Sequence, residues 1–252
     1  MYFGIAICKW EYTRLSKIFW LYSWNTVKGY YMMKSLLFEE IFNEIKQLGD
    51  EAQAKKMSDY MKGQFEFLGI PKPQLMKVIK PYLSKSRKEE IDWDGIFEMW
   101  NVEFREAQYV ALEYMNVHKK QIAPSDLEKI EKLVTTKSWW ETVDTLDSFV
   151  GDMILAKPSV KEEMLKWSVS DNIWLRRVAI DCQQRFKDQT DQKLLADVIK
   201  NNLRSDEFFI NKAIGWSLRE YSKVNPEWVR TFLEDNEQGL DKLSIREAKK
   251  YL

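Results

Sequence analysis

The sequence predicts an all-α protein, an α-solenoid in which stacked helix pairs curve around a concave surface. In three segments, LLFEEIFNEIKQL (36–48), LEKIEKLV (127–134) and LLADVIKNNL (194–203), apolar residues recur every three or four positions, as in an amphipathic helix. No segment sustains the two-residue alternation of a strand. A unit of 35 residues also repeats along the chain, and such a period with paired helices is typical of solenoids.

The repeat is visible in four aromatic residues that lie 35 positions apart: Phe104, Trp139, Trp174 and Phe209. They open the segments FREAQYVALEYM, WWETVDTLDSFV, WLRRVAIDCQQRF and FINKAIGWSLREY. Similar words, SDNIW at 170 and SDEFF at 205, introduce two of these segments. One repeat cannot bury its own apolar face, so we expect these aromatic residues to pack between neighbouring helices.

The helices are separated by turn signals. The first helical segment places Leu37, Ile41, Ile45 and Leu48 on one stripe. The proline-containing stretches GIPKP, AKPS and VNPE predict breaks near residues 70, 158 and 225.

Composition excludes several kinds of chemistry. Cys8 and Cys182 provide neither a disulfide framework nor zinc-ligand spacing, which favours a reducing compartment such as the cytoplasm. We take the single histidine, His118, to argue against most metal sites and against a Ser-His or Cys-His nucleophile pair. There is no glycine-rich nucleotide-binding motif. We therefore expect no metal and no cofactor, and any catalysis must depend on carboxylates, basic groups and aromatic rings.

The first 32 residues differ from the rest and are predicted to be an extension outside the repeat domain of residues 33–252. They contain ten of the 35 aromatic residues and carry a net charge of +3, against −3 for the remainder. No apolar run reaches the roughly 18 residues that a membrane span needs. An aromatic, basic helix on a membrane surface is one alternative. Translation from Met32 or Met33 is another.

Unusual residues recur at the predicted inner positions of three successive repeats. They are Trp140 and Asp144 in one helix, Arg176 and Arg177 in the next, and Lys212 and Trp216 in the third. Residues four positions apart share one helix face. Each residue also has an ordinary explanation: the tryptophans could be core residues, Asp144 could bond a helix N-terminus, and Arg177 could form a salt bridge with Asp144 between repeats.

The chain resembles the DNA alkylation repair family, the AlkD-like alkylpurine DNA glycosylases built from HEAT-like repeats. Four stretches carry the resemblance: YMKGQFEFLGI (60–70), VTTKSWWETVD (134–144), SDNIWLRRVAI (170–180) and FFINKAIGWSLREYSKVNP (208–226). It extends from about residue 35 to 235. It implies release of positively charged N3- and N7-alkylated purines from duplex DNA without swinging the base out of the helix. Because a solenoid that grips duplex DNA can work as a monomer, we expect a monomer.

The resemblance also implies roles for individual residues. Asp144 would be the catalytic carboxylate beside the deoxyribose, flanked by Trp140 and Trp216. Arg177 would hold a backbone phosphate, and Tyr60 would approach the DNA from the other side. Arg176 and Lys212 are further candidates for DNA contacts.

The main alternative is a non-catalytic HEAT-repeat module that binds DNA or protein. A net charge of zero favours that alternative, because nucleic-acid-binding proteins usually have a basic excess. Asp144 favours the enzyme, because a carboxylate repels a phosphate backbone but stabilises a sugar cation.

Overall fold

The computed structural model describes residues 33–252, so the predicted extension 1–32 lies outside the described residues. Over the described range the chain forms helices and no strand, with one isolated bridge between Glu66 and Phe104. The all-α prediction is confirmed. None of the described helices is both long enough and apolar enough to cross a membrane.

Thirteen α-helices follow one another in this described part of the chain. They are α1 (Leu36–Lys46), α2 (Glu51–Tyr60), α3 (Lys72–Ser86), α4 (Trp93–Asn101), α5 (Arg105–Val117), α6 (Leu127–Thr135), α7 (Trp140–Ala156), α8 (Val160–Trp167), α9 (Ile173–Asp181), α10 (Gln192–Lys200), α11 (Phe208–Ser222), α12 (Pro226–Asp235) and α13 (Lys242–Ala248).

Polar caps explain several of the helix starts. The side chains of Asn172, Asp191 and Asn225 accept hydrogen bonds from backbone N–H groups at the starts of α9, α10 and α12. Such caps satisfy N–H groups that have no partner within the helix. Pro226 occupies the first position of α12, where a proline costs no hydrogen bond. The break predicted from VNPE is therefore a capped helix start.

The described chain divides into two compact units. The first holds the described residues as far as Tyr82 together with Asp92–Ala107. At its centre the buried Glu106 carboxylate accepts backbone hydrogen bonds from Leu68, Gly69 and Ile70 at 2.9, 2.9 and 3.0 Å. Gly69 has a φ of +91°, a conformation that favours glycine. This bonding fixes the loop between α2 and α3.

Apolar burial on α1 follows the helical period but is shifted from the predicted stripe. Phe38, Ile41, Phe42 and Ile45 are buried, whereas the predicted stripe members at 37 and 48 are half-buried. The two phenylalanines bury larger side chains, which sets the face that packs inward.

The second unit, Leu83–Ile91 and Gln108–Leu252, contains the repeats that begin at Trp139, Trp174 and Phe209. Helices α7, α9, α11 and α13 pack successively against one another, and α6, α8, α10 and α12 pack on them as a second layer. The stacking of helix pairs predicted from the 35-residue period is therefore present in this unit. It places equivalent stretches of successive repeats side by side.

The repeated aromatic residues form a cluster at the beginnings of α7, α9 and α11. The ring centroids lie 5.8 Å apart for Trp139 and Trp174, 5.0 Å for Trp174 and Phe209, and 5.2 Å for Trp139 and Phe209. These separations fall in the range of favourable aromatic pairs. For these three residues the predicted packing role is confirmed, and it holds the three helices in register.

Gly151 allows α7 and α9 to approach closely. A methyl group built at this position would lie 2.5 Å from the carbonyl oxygen of Cys182. Backbone cannot yield as a flexible side chain can, so a larger residue must push the two helices apart.

We predict that Gly151→Ala destabilises the protein by about 1–3 kcal/mol through overpacking, despite the better helix propensity of alanine. Urea unfolding followed by circular dichroism measures the change. Asp152→Ala, at an exposed position of the same helix, is the control and should change stability by less than about 0.5 kcal/mol. An equally stable Gly151→Ala protein would contradict the close approach.

Candidate functional site

A bidentate ion pair joins α7 to α9. Arg177 donates from Nε to Oδ1 of Asp144 at 2.6 Å and from Nη2 to Oδ2 at 2.8 Å. The Arg177 side chain is 1 % exposed, whereas that of Asp144 is 24 % exposed. The planar guanidinium matches both carboxylate oxygens, so the pair fixes the orientation of the carboxylate. One end of the pair is thus inside the protein and the other reaches the surface.

Arg177 also connects this pair to α11. Its Nη1 donates to the backbone oxygen of Phe209 at 2.7 Å. Its guanidinium carbon lies 5.5 Å from the ring centroid of Trp216, within the range of a cation–π contact. One buried arginine therefore brings together residues of three successive repeats, including Asp144 and Trp216.

Two buried aspartates lie behind this ion pair. Oxygens of Asp144, Asp147 and Asp181 all lie within 4.8 Å of one another. The Asp181 carboxylate is 3.8 Å from Nη2 of Arg177, and Asp147 is 3.7 Å from the exposed Arg185. Three carboxylates thus surround a single buried guanidinium.

Burial dominates the ionisation of this group. It raises the pKa of Asp147 well above the usual range, with the charges of Asp181 and Asp144 adding to the effect. Burial also raises the pKa of Asp181 to about 6, against the opposing charge of Arg177. For Arg177 itself burial would lower the pKa, but the carboxylates of Asp181 and Asp144 reverse this and raise it. The arginine remains charged while the acidic group tends to take up protons.

Trp216 lies among basic side chains. Besides Arg177, Lys212 and Arg219 approach its ring, with Nζ 5.3 Å and Cζ 5.8 Å from the centroid. Lys212 and Arg219 both contact the buried Glu247 of α13, at 2.9 and 3.3 Å. Glu247 therefore offsets part of the positive charge of Lys212 and Arg219 beside this indole.

The remaining predicted site residues occupy different surroundings. Trp140 is the first residue of α7, half-buried and one turn before Asp144. Arg176 is half-buried, and its Nε donates no hydrogen bond to any of the described residues. Tyr60 ends α2 in the first unit and is 68 % exposed. The DNA-binding roles assigned to Arg176 and Tyr60 stay predictions.

His118 has a structural environment. It is 1 % exposed, and its two ring nitrogens lie 3.0 Å from the backbone oxygens of Tyr114 and Ser86. Of the two cysteines, Cys182 is buried, and burial raises the pKa of its thiol. A buried thiol with a raised pKa is a poor nucleophile.

Sequence reasoning missed Asp147, Asp181 and Glu247. A local signal existed for the first two, because Asp147 follows Asp144 by three positions and Asp181 follows Arg177 by four. By donor type, the three aspartates could hold a hard cation. The Arg177 guanidinium already provides the positive charge at that position.

We predict that Arg177→Met destabilises the protein by about 3–5 kcal/mol at neutral pH, because it leaves buried carboxylates without their counter-charge. The loss should be smaller at pH 5, where protonation removes part of the unbalanced charge. Urea unfolding at both pH values measures this. Arg176→Met is the matched control and should cost less than about 1 kcal/mol. Equal losses for the two variants would contradict a central role for the ion pair.

Glu247 should make the stability of the protein depend on pH in the acidic range. The ammonium groups of Lys250 and Lys212 hold its pKa at about 2, below the usual 4.5. A lowered pKa in the folded state stabilises the protein above about pH 4.5, and this contribution is lost as the pH falls towards 2. We predict that Glu247→Gln lowers the melting temperature at pH 6 and that the difference from wild type shrinks between pH 4.5 and 2.

The control is Glu237→Gln, at an exposed position. It should follow the wild-type curve throughout. A constant difference between Glu247→Gln and wild type across this pH range would show that the carboxylate charge does not matter.

Comparison with known proteins gives the family. A family model described as "DNA alkylation repair enzyme" matches residues 41–252. Among solved structures, a predicted DNA alkylation repair enzyme from Enterococcus faecalis is 35 % identical, with a TM-score of 0.73, and the match covers 81 % of this chain and 96 % of that one. No curated protein sequence matches the chain. The matched residues include both the repeats and the Asp144–Arg177 pair, and the chain belongs to the DNA alkylation repair enzyme family.

Proposed function

We propose that this protein is a DNA glycosylase that hydrolyses the N-glycosidic bond of positively charged N3- and N7-alkylated purines in duplex DNA. Membership of a DNA repair family supports the class of substrate. The observation that carries the reaction is the Asp144 carboxylate, whose orientation is fixed by a buried arginine while part of its surface stays open.

The lesion's own charge makes this chemistry feasible. When the C1′–N bond breaks, its electron pair neutralises the cationic purine, and positive charge develops on the sugar. A carboxylate held beside C1′ stabilises that charge without reorganising. Water then bonds to C1′ and gives up a proton, for which Asp144 is the acceptor. The products are the free base and an abasic site.

Trp140 and Trp216 fit a role beside the sugar. An indole face attracts a cation, and a flat ring packs against deoxyribose without reading sequence. Trp216 already accommodates cations in the free protein. A neutral base is a poorer leaving group than a cationic one, so neutral lesions should be poor substrates. Because the cationic base is already a good leaving group, the enzyme need not swing it into a pocket.

The basic residues supply the phosphate contacts in this proposal. Lys212 is partly exposed, with its charge balanced by Glu247 until DNA arrives. Phosphate contacts of this kind position the duplex without selecting sequence. Arg177 can hold a phosphate only after a neighbouring side chain moves, because its own side chain is 1 % exposed. Its first role in the free protein is to orient Asp144.

The direct test is incubation with methylated duplex DNA followed by chromatography of the released bases. We expect 3-methyladenine and 7-methylguanine to appear faster than by spontaneous loss. Uracil and hypoxanthine should not be released from otherwise identical duplexes. No release of alkylated bases above background would refute the enzyme and leave a DNA- or protein-binding repeat module.

We predict that Asp144→Asn lowers the single-turnover rate roughly 100-fold, because the charge opposite the sugar cation is lost. DNA affinity should be nearly unchanged, since the asparagine oxygen can still accept from Arg177. Fluorescence anisotropy measures binding and base release measures the rate. The control, Asp152→Asn, removes an exposed carboxylate from the same helix and should retain full activity. A fully active Asp144→Asn protein would exclude this residue as the catalytic carboxylate.

A further inference from the structure

The two carboxylate oxygens of Asp181 differ in their hydrogen bonding with the described residues. Its Oδ1 accepts from the hydroxyl of Ser217 at 2.8 Å and from the amide of Gln184 at 2.6 Å. Its Oδ2 is buried and, within the part of the chain that the structure describes, accepts no hydrogen bond. The nearest cationic group to this carboxylate is the Arg177 guanidinium, with Nη2 at 3.8 Å.

This arrangement is costly for folding. Asp181 is 2 % exposed, and a buried carboxylate without full compensation destabilises the folded state. The hydroxyl of Ser217, on α11, donates a hydrogen bond to Asp181, and this bond fixes the position of the Asp181 carboxylate. A buried oxygen that lies just beyond hydrogen-bond distance of a guanidinium is a second acceptor for that group.

We propose that Asp181 is a positioning residue, an inference that rests on the glycosylase function proposed above. It supplies a second negative charge beside the Arg177 guanidinium, so that Asp144, held in place by its two hydrogen bonds, keeps negative charge available to the sugar cation. Asp144 and Asp181 thus share one guanidinium, which is hydrogen-bonded to Asp144 and balanced in charge by Asp181.

The charges of the group agree with this role. Burial raises the pKa of Asp147 and so favours its neutral form. With Asp147 neutral, Asp144 and Asp181 ionised and Arg177 positive, the group has one negative charge in excess, which is available to the developing cation. When Asp181 is protonated, Asp144 and Arg177 cancel, and no excess remains. The charged groups facing Asp181 are Asp144 and Asp147 from α7 and Arg177 from α9. From α11 the contact is the neutral hydroxyl of Ser217.

The pH dependence gives this proposal a specific signature. Burial raises the pKa of Asp181 to about 6, so the enzymatic rate should fall as the pH drops through about 6. A raised pKa in the folded state also means that ionisation of Asp181 lowers stability as the pH rises from about 4 to 6. Replacing the carboxylate should therefore remove a cost to folding while slowing the reaction.

The experiment compares wild type, Asp181→Asn and Ser217→Ala in single-turnover release of 7-methylguanine from duplex DNA between pH 5 and 8.5, with spontaneous loss subtracted. For Asp181→Asn we expect a rate about tenfold lower at pH 7.5, because residues of one salt-bridge network are usually coupled by an interaction energy of that size. The acidic limb near pH 6 should be absent. DNA affinity should be unchanged, and stability in urea at pH 7.5 should equal or exceed that of wild type. Ser217→Ala, which removes the hydrogen bonds of this hydroxyl to Asp181 and to the backbone oxygen of Ile180, should lower the rate about twofold to threefold.

Asp188→Asn, at an exposed position beyond α9, is the control and should behave as wild type in every assay. An active wild type with an equally fast Asp181→Asn protein and an unchanged pH profile would overturn the proposal. A second result would also overturn it. If Asp181→Asn lost stability in proportion to its loss of rate and Ser217→Ala left the rate unchanged, Asp181 would have only a structural role. A wild type that releases no alkylated base would instead refute the proposed function itself.

Discussion

The buried Arg177 guanidinium is the group on which the organisation of the second unit depends. Its donors bind a carboxylate on α7 and a backbone oxygen on α11, while its own backbone belongs to α9. A fully buried guanidinium is stable only if its donors and its charge are matched. The three helices must therefore keep their spacing, and Asp144 must keep its orientation, or the arginine loses its compensation. Stability and the geometry of the site are linked through one side chain.

The aromatic cluster and Gly151 make that spacing possible. Trp139, Trp174 and Phe209 hold the helix beginnings together, and a glycine on α7 lets the α9 backbone approach further along. The polar residues Asp144 and Asp147 lie on α7 between these two contacts and face Arg177. An acidic layer of this kind would be unfavourable alone, but packing on both sides fixes its geometry. In the proposed reaction, the same rigidity would let Asp144 face the developing sugar cation without reorganisation.

Several features of the structure could be predicted from particular residues of the sequence. The 35-residue spacing of Trp139, Trp174 and Phe209 predicted helix stacking, because side chains at equivalent positions of a repeat must meet when repeats stack. The i and i+4 spacing placed Trp140 with Asp144 and Lys212 with Trp216 on common helix faces. The salt bridge between Asp144 and Arg177, one of several explanations open at that point, is the one present in the structure. The roles of these residues on DNA came from family resemblance.

The sequence by itself determined the helices, their repeat length and the family, because these depend on local periodicity and on long shared segments. Only the tertiary structure decided which charges meet. Asp181 lies behind Arg177 as a second acceptor, and Glu247 from α13 balances Lys212. Glu247 meets Lys212 across two helices, and Asp181, one turn from Arg177 on α9, meets Asp144 and Asp147 of α7 only once the helices pack. Burial raises the pKa of Asp181, whereas hydrogen bonds from the ammonium groups of Lys250 and Lys212 lower the pKa of Glu247 against the opposing effect of burial.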